Sequence, residues 1–360
     1  MQNVKPFQIA VAFTGSFLGA GFVSGQELLQ FFGEFGGYGI LGMLLTVGGF
    51  WLFSVLSMLI AKRANIVDFD KVIIGKEGSK LRPVFGAIIY FFLFGVMIIM
   101  IAGAGSLLRE LFGMPLIAAN ALMTVLVTLV AVLGTQGLLA SFSLLVPALV
   151  AVAIVVGIAV FVKFGGGSIE WHGMSGSNPL LGNWVFAFIS YTSHNLMAAV
   201  SILVPLSAHV KEEKTIHKGM LMGSGLLLLI FLGILLPVTF HKDMIADADL
   251  PMLTFAQNIG VILGWVYAVL LLGGMFMGAL SSLYAMVERV KCIGPLKGLP
   301  MMIVISLLAL AGSLFGFKEL VGTVFPIFGY IGFLALPGIL HHYFMLRKHK
   351  NTVKKGALNE

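Results

Sequence analysis

Apolar residues run through this chain in long blocks, and polar residues gather between the blocks instead of alternating with them. That pattern belongs to helices that cross a bilayer, each of which needs about 20 residues. Ten blocks can be placed, over residues 6–33, 37–62, 83–110, 114–134, 138–163, 183–207, 218–240, 259–288, 300–316 and 320–346. Among blocks without sign of a break, the third and eighth are the longest, so both are expected to tilt or project beyond the bilayer. Moving the first five starts along by about 177 residues brings them close to the second five. Five is odd, so the second set enters from the opposite side, and an inverted repeat is predicted. The chain then divides into a first five-helix repeat (1–164), an external loop (165–182), a second repeat (183–346) and a basic tail (347–360).

Two blocks carry residues that such blocks normally lack. The first contains Gly15, Gly19, Gly21 and Gly25 and leads into Glu27. Each glycine costs a helix roughly 1 kcal/mol relative to alanine, and unwound backbone is tolerated at membrane depth only inside protein or along a cavity. The same glycines also form small-xxx-small pairs suited to close helix packing. The sixth block holds Ser190-Tyr191-Thr192-Ser193-His194-Asn195, six consecutive residues able to hydrogen-bond. Its position matches that of the glycine cluster in the first half. The prediction is therefore an all-α membrane protein of ten transmembrane helices, a 5+5 inverted repeat with the first and sixth helices broken between about Gly19 and Gly25 and between about Ser190 and Asn195.

Composition agrees: 59% of residues are hydrophobic and 10% charged, and mean hydropathy is +1.04. The net charge of +7 does not point to nucleic acid, because the basic residues sit in the connections. With ten spans, 18 of the 22 Lys and Arg residues fall on one side. By the positive-inside bias that side is cytoplasmic, which places both termini there and predicts a multi-pass protein of the cell membrane. Cys292 is the only cysteine, so no internal disulfide can form. The N-terminal block is too long and too interrupted for a cleavable signal peptide. Gly165-Gly166-Gly167 lacks the lysine of a phosphate loop, and no nucleophile–base or metal constellation is visible, so an enzyme is not expected.

The candidate chemistry lies at the breaks. A second half-helix starting near Phe22 would turn its free N–H groups and positive dipole end toward a cavity, favouring a carboxylate. Ala20, Gly21, Phe22, Ser24 and Gly25 are the candidate substrate contacts there, with Ser24 a possible cap and Phe22 either a wall of the site or ordinary packing. Tyr191 and His194 face them from the sixth block. His194 has three open roles: binding solute, relaying a proton or satisfying unwound backbone. Glu27 is either a coupling or gating group, since leaving water penalises its charge, or a structural carboxylate tied to a neighbour.

The run Gly19-Ala20-Gly21-Phe22-Val23-Ser24-Gly25-Gln26-Glu27, the polar stretch of the sixth block and Leu283-Tyr284-Ala285-Met286-Val287-Glu288-Arg289 of the eighth resemble the YkvI-type membrane proteins. These belong to the LeuT-fold group of amino acid–polyamine–organocation transporters. The resemblance covers nearly the whole chain in span order and implies a five-plus-five fold and solute transport, without a particular substrate. It implies that the third span lines the site, making Tyr90, Phe94 and Met97 pocket candidates as well as packing residues. It implies that Ser281 and Ser282, with carbonyls of the first break at Gly19, are a candidate Na⁺ site. It also implies a helical lid in the seven–eight connection, near Asp243, Asp247, Asp249 and Pro251; a solvated acidic loop is the alternative.

The function expected is secondary active transport of a small organic solute, an amino acid or other carboxylate, by alternating access coupled to Na⁺ or H⁺. A receptor or scaffold, or a channel without coupled transport, is the alternative. The expected partners are the solute and the bilayer, with no nucleic acid and no cofactor beyond a possible Na⁺. The sequence sets no oligomeric state.

Overall fold

The computed structural model describes residues 4–66, 69–74, 82–133, 138–169, 171, 176, 178–290 and 299–356. Cys292 and His172 lie outside them, as do Asp68, Lys76 and Glu77. The described chain is almost wholly helical. The first block folds as three pieces, α1 (Pro6–Phe17), α2 (Ala20–Val23) and α3 (Gln26–Phe31). Then come α4 (Gly37–Ala64), a short α5 (Phe69–Ile74), α6 (Arg82–Phe112), α7 (Leu116–Leu133) and α8 (Leu138–Phe164). The second half holds α9 (Trp184–Ser207), α10 (Glu213–Phe240), a short α11 (Pro251–Ile259), α12 (Val261–Val290), α13 (Leu299–Ser313), α14 (Phe317–Phe333) and α15 (Ala335–Gly356). The longest are α6 and α12, at 31 and 30 residues.

Among the described residues, seven helices are long and apolar enough to cross a membrane, and α7 and α13 are shorter apolar helices. The outer faces confirm the setting. Leu122, Val125, Leu126 and Leu129 on α7, Val155, Ile158 and Val162 on α8, and Leu307 and Leu308 on α13 are exposed. Contiguous apolar surface of this extent is costly in water and natural in lipid. This is an integral, multi-pass membrane protein.

The ends of the elements follow local chemistry. Asn183 caps α9, its side chain accepting from the N–H groups of Val185 (2.9 Å) and Phe186 (3.1 Å). Asn65 takes a left-handed conformation (φ 53°) to end α4, whose last turn carries Lys62 and Arg63 against the negative end of the dipole. Pro326 inside α14 has no N–H for the carbonyl of Gly322, and the side chain of Asn178 donates to that carbonyl instead, at 2.7 Å. The seven–eight connection does contain a helix, α11, and the two–three connection contains α5.

One expected break is absent. α9 runs without interruption through Ser190–Asn195. Its polar side chains bond back onto their own helix: Thr192 donates to the Phe188 carbonyl and Ser193 to that of Ile189, each at 2.7 Å. His194 Nδ1 meets the Ser190 carbonyl at 3.1 Å, and Asn195 donates to that of Tyr191 at 3.2 Å. A helix can therefore satisfy these groups within the membrane without unwinding. Ser190 instead donates to the Pro326 carbonyl of α14 at 3.2 Å. α14 approaches closely there because Gly329 and Gly332 leave room for the backbone of Ser190 and Ser193.

Candidate functional site

The first break is a double kink. Leu18 and Gly19 leave the helix after α1, and their N–H groups reach back to Gly15 (3.3 Å) and Phe17 (3.2 Å). α2 then makes a single turn before Ser24 and Gly25 interrupt the chain again. Gly25 sits at φ +83°, a left-handed conformation glycine adopts without penalty. Ser24 Oγ donates to the Gly21 carbonyl at 2.6 Å and accepts from the Gln26 N–H at 3.3 Å. The longer second piece therefore starts at Gln26, not near Phe22; its N-cap is Gly25 rather than Ser24, whose hydroxyl meets the first N–H of the helix.

On one side of the break lies a cavity of about 320 Å³. Ser16, Phe17, Gly19, Phe22 and Glu27 bound it from the first block. Ile89, Leu93, Val96 and Met100 of α6, His194, Asn195, Met197, Ala198, Ser201 and Ile202 of α9, Ser281 of α12 and Phe325 of α14 complete most of its wall. Ile202 is 50% exposed, so the cavity reaches the surface toward the end of the molecule where α1 begins, α6 begins and α9 ends.

Its other end is shut. The carbonyls freed by the second kink are taken by the neighbouring helices: Tyr267 of α12 donates to Val23 at 2.5 Å, and the N–H of Met252 at the start of α11 donates to Ser24 at 3.0 Å. A Cβ at Gly25 would lie 2.8 Å from Met252 Cγ, so α11 rests directly on the kink. Beyond it is a wider cavity of about 670 Å³ whose lining includes Arg109, Glu110, Asp243, Asp247 and Asp249.

Among the described residues, the cavity beside the break is lined by one acidic side chain and by no lysine or arginine. Glu27 is 5% exposed, and Tyr191 donates to its Oε2 at 3.3 Å. Its other oxygen lies over the α2 backbone, where any side chain at Gly21 would collide with it. His194 is 2% exposed and stacked on Phe325, with ring centroids 5.0 Å apart and planes 7° apart. Its two nitrogens are both engaged, Nδ1 with the Ser190 carbonyl and Nε2 with the Asn195 amide at 2.8 Å. A neutral imidazole carrying its proton on Nδ1 satisfies both contacts, since the carbonyl can only accept and the amide can donate.

The cavity thus brings together Gly19, Phe22, Glu27, His194 and Ser281. Phe22 also packs against Phe231, centroids 4.7 Å apart. Gly21, Ser24, Gly25 and Tyr191 are buried immediately behind the wall, and Ala20 joins Gly19 to Gly21 in the chain. Ser281 Oγ donates to the Gly278 carbonyl at 3.0 Å, while Ser282 is buried away from the cavity. Tyr90, Phe94 and Met97 do not line it: the α6 residues that do are 89, 92, 93, 96 and 100, a stripe turned slightly from theirs. Both stripes are apolar at helical spacing, so the sequence does not distinguish them. Ser201 was also missed, although it follows His194 by two turns on the same face. Phe325 carries no local signal, because only the packing of α14 on α9 brings it there. Among the described residues no three His, Cys, Asp or Glu side chains are grouped to hold a metal ion.

No family model matches the chain. It is 28% identical over 334 residues to the uncharacterized membrane protein YkvI of Bacillus subtilis (strain 168), covering 92% of this chain and 94% of that one. The fold is that of solved transporters. MhsT in complex with L-phenylalanine aligns with TM-score 0.62 and 16% identity over 95% of this chain and 92% of its own. The inward-facing conformation of Mhp1 aligns with TM-score 0.64 and 14% identity over 97% and 78%. A Na⁺-coupled sialic acid symporter in a substrate-bound outward-open state aligns with TM-score 0.55 and 14% identity over 95% and 78%. The architecture is thus of the LeuT class. Within that class the chain is similar to the YkvI-type membrane proteins, as the sequence motifs indicated.

Proposed function

We propose that this protein is a secondary transporter that carries a small organic solute, an amino acid or another carboxylate, by alternating access coupled to Na⁺ or H⁺. The observation that carries the reading is a cavity at a broken first helix, reaching the surface at one end and closed at the other by a docked helix. Its volume is at the small end of the range for ligand sites, and its mostly apolar wall with a few polar groups is typical of them. In this reading residues 1–164 and 183–346 are two inverted five-span repeats, making ten spans. The N-terminal side is cytoplasmic, and the structure represents an inward-open state.

Gly19, Phe22, Glu27, His194 and Ser281 contact solute or ion, and Ala20, Gly21, Ser24, Gly25 and Tyr191 shape the wall. The L-phenylalanine bound to MhsT and the Na⁺ coupling of the sialic acid symporter favour an amino acid and Na⁺ here. The test is thermal stabilisation of purified protein across a panel of amino acids and their amides, with and without Na⁺. An amino acid should stabilise more than its amide, and Ser281→Ala should weaken the Na⁺ effect more than it alters solute preference. Equal stabilisation by acid and amide would remove the carboxylate from the account.

A further inference from the structure

We infer that Glu27 binds the ammonium group of an amine-bearing solute and exchanges a proton for it, so that solute and H⁺ move in opposite directions through one carboxylate. The inference rests on the transporter reading of the same cavity. It begins from charge balance. Among the described residues Glu27 is the only acidic side chain in the wall, and no lysine or arginine joins it there. Arg63 and Glu213 pair with each other, where α4 ends and α10 begins.

The titratable groups facing Glu27 are Tyr191, which donates to it, and His194, whose nitrogens are both occupied. α10 has no ionisable side chain between Lys218 and His241. On α12, Tyr267 and Tyr284 donate to the carbonyls of Val23 and Ala131. On α14, Lys318 donates to the Ala246 carbonyl and Tyr330 to that of Leu180. α6 and α14 turn Met100 and Phe325 into the cavity. A carboxylate this deeply buried needs a positive partner, and among the described residues no lysine or arginine lines the cavity beside it. A proton and an ammonium group are both cations that fit a single carboxylate, and it takes one at a time.

The step balances: Glu27–COOH and R–NH₃⁺ give Glu27–COO⁻ paired with R–NH₃⁺ and one released H⁺. The largely apolar remainder of the wall suits an R group of hydrocarbon character. A second feature agrees with a cationic solute. Glu110, Asp243, Asp247 and Asp249 outnumber Arg109 in the larger cavity beyond α11, and a mouth of that sign concentrates cations.

The experiment uses three probes that share a phenyl group: 2-phenylethylamine, L-phenylalanine and 3-phenylpropanoate. Binding to the purified full chain is followed by thermal stabilisation, and proton release by an indicator dye in weak buffer. The two amines should stabilise the protein, releasing about one proton per molecule bound, with apparent affinity falling about tenfold per pH unit on the acid side. 3-Phenylpropanoate should do neither. Glu27→Gln should lose at least about tenfold in amine affinity together with the proton release, and Glu27→Asp should bind more weakly while still releasing a proton. Stabilisation by 3-phenylpropanoate equal to that by the amine, or amine binding by wild type without proton release, would overturn the inference. Binding with release but no flux into proteoliposomes would contradict the transport reading alone. Flux of solutes that need no amine would contradict this inference alone.

Discussion

Gly329→Leu is expected to destabilise the protein markedly. α14 and α9 meet where Gly329 faces the main chain of Ser190, and a Cβ at that glycine would lie 2.6 Å from the Ser190 Cα. Backbone cannot swing aside as a side chain can, so the two helices would have to separate. Overpacking a tight contact typically costs about 1–3 kcal/mol, and a clash with backbone belongs at the upper end of that range. The separation would also break the Ser190 bond to the Pro326 carbonyl and unstack His194 from Phe325, so the cavity wall would move as well. Gly225 on α10 has no atom within 4 Å of where its Cβ would stand. Gly225→Leu should therefore stay within about 0.5 kcal/mol of wild type. Melting temperature and monodispersity in detergent compare the two variants, and equal behaviour would remove the close α9–α14 contact from the fold.

Tyr267→Phe is expected to open the closed end of the molecule. The Tyr267 hydroxyl is the donor recorded for the Val23 carbonyl, and both groups are buried. Removing it leaves a buried carbonyl unpaired, at a cost of about 1–3 kcal/mol. That cost falls on the closed state and is relieved when α11 lifts and water enters. The ratio of open to closed forms should rise by roughly 5- to 150-fold. A cysteine at Thr254, which lines the wider cavity, reports the change in a Cys292→Ser background that removes the only native thiol. Labelling by a membrane-impermeant maleimide should be faster with Tyr267→Phe than without it. Unchanged labelling would mean that the bond does not hold this end shut.

Much of the architecture was legible because membrane helices announce themselves by length and continuity. Most of the apolar blocks end within a few residues of the helices, and the glycines of the first block mark a real break; the last block instead folds as α14 and α15, parted at Leu334, and α15 runs on to Gly356 through the expected tail. The sixth block misled for a physical reason: hydroxyl and amide side chains that look expensive in lipid can bond to the carbonyl one turn back and leave the helix whole. Thr192, Ser193 and Asn195 all do so. The start of the second piece was also misplaced, because Ala20–Val23 makes one turn of its own before Gly25 breaks the chain again. Glu27 and His194 could be singled out because ionisable residues are rare at such depth. The α6 face could not be, because Tyr90 and Phe94 are as compatible with a wall as Ile89 and Leu93. Only the packing of whole helices decides between them.

The central claim is that solute crosses the membrane through the cavity beside Glu27. The most direct measurement is counterflow in proteoliposomes preloaded with unlabelled L-phenylalanine and diluted into labelled L-phenylalanine. Wild-type protein should accumulate label transiently and saturably above protein-free liposomes, and Glu27→Gln should fall to the protein-free level while remaining folded. Label that never exceeds the protein-free level with wild-type protein, although the same solute stabilises it in detergent, would contradict the account.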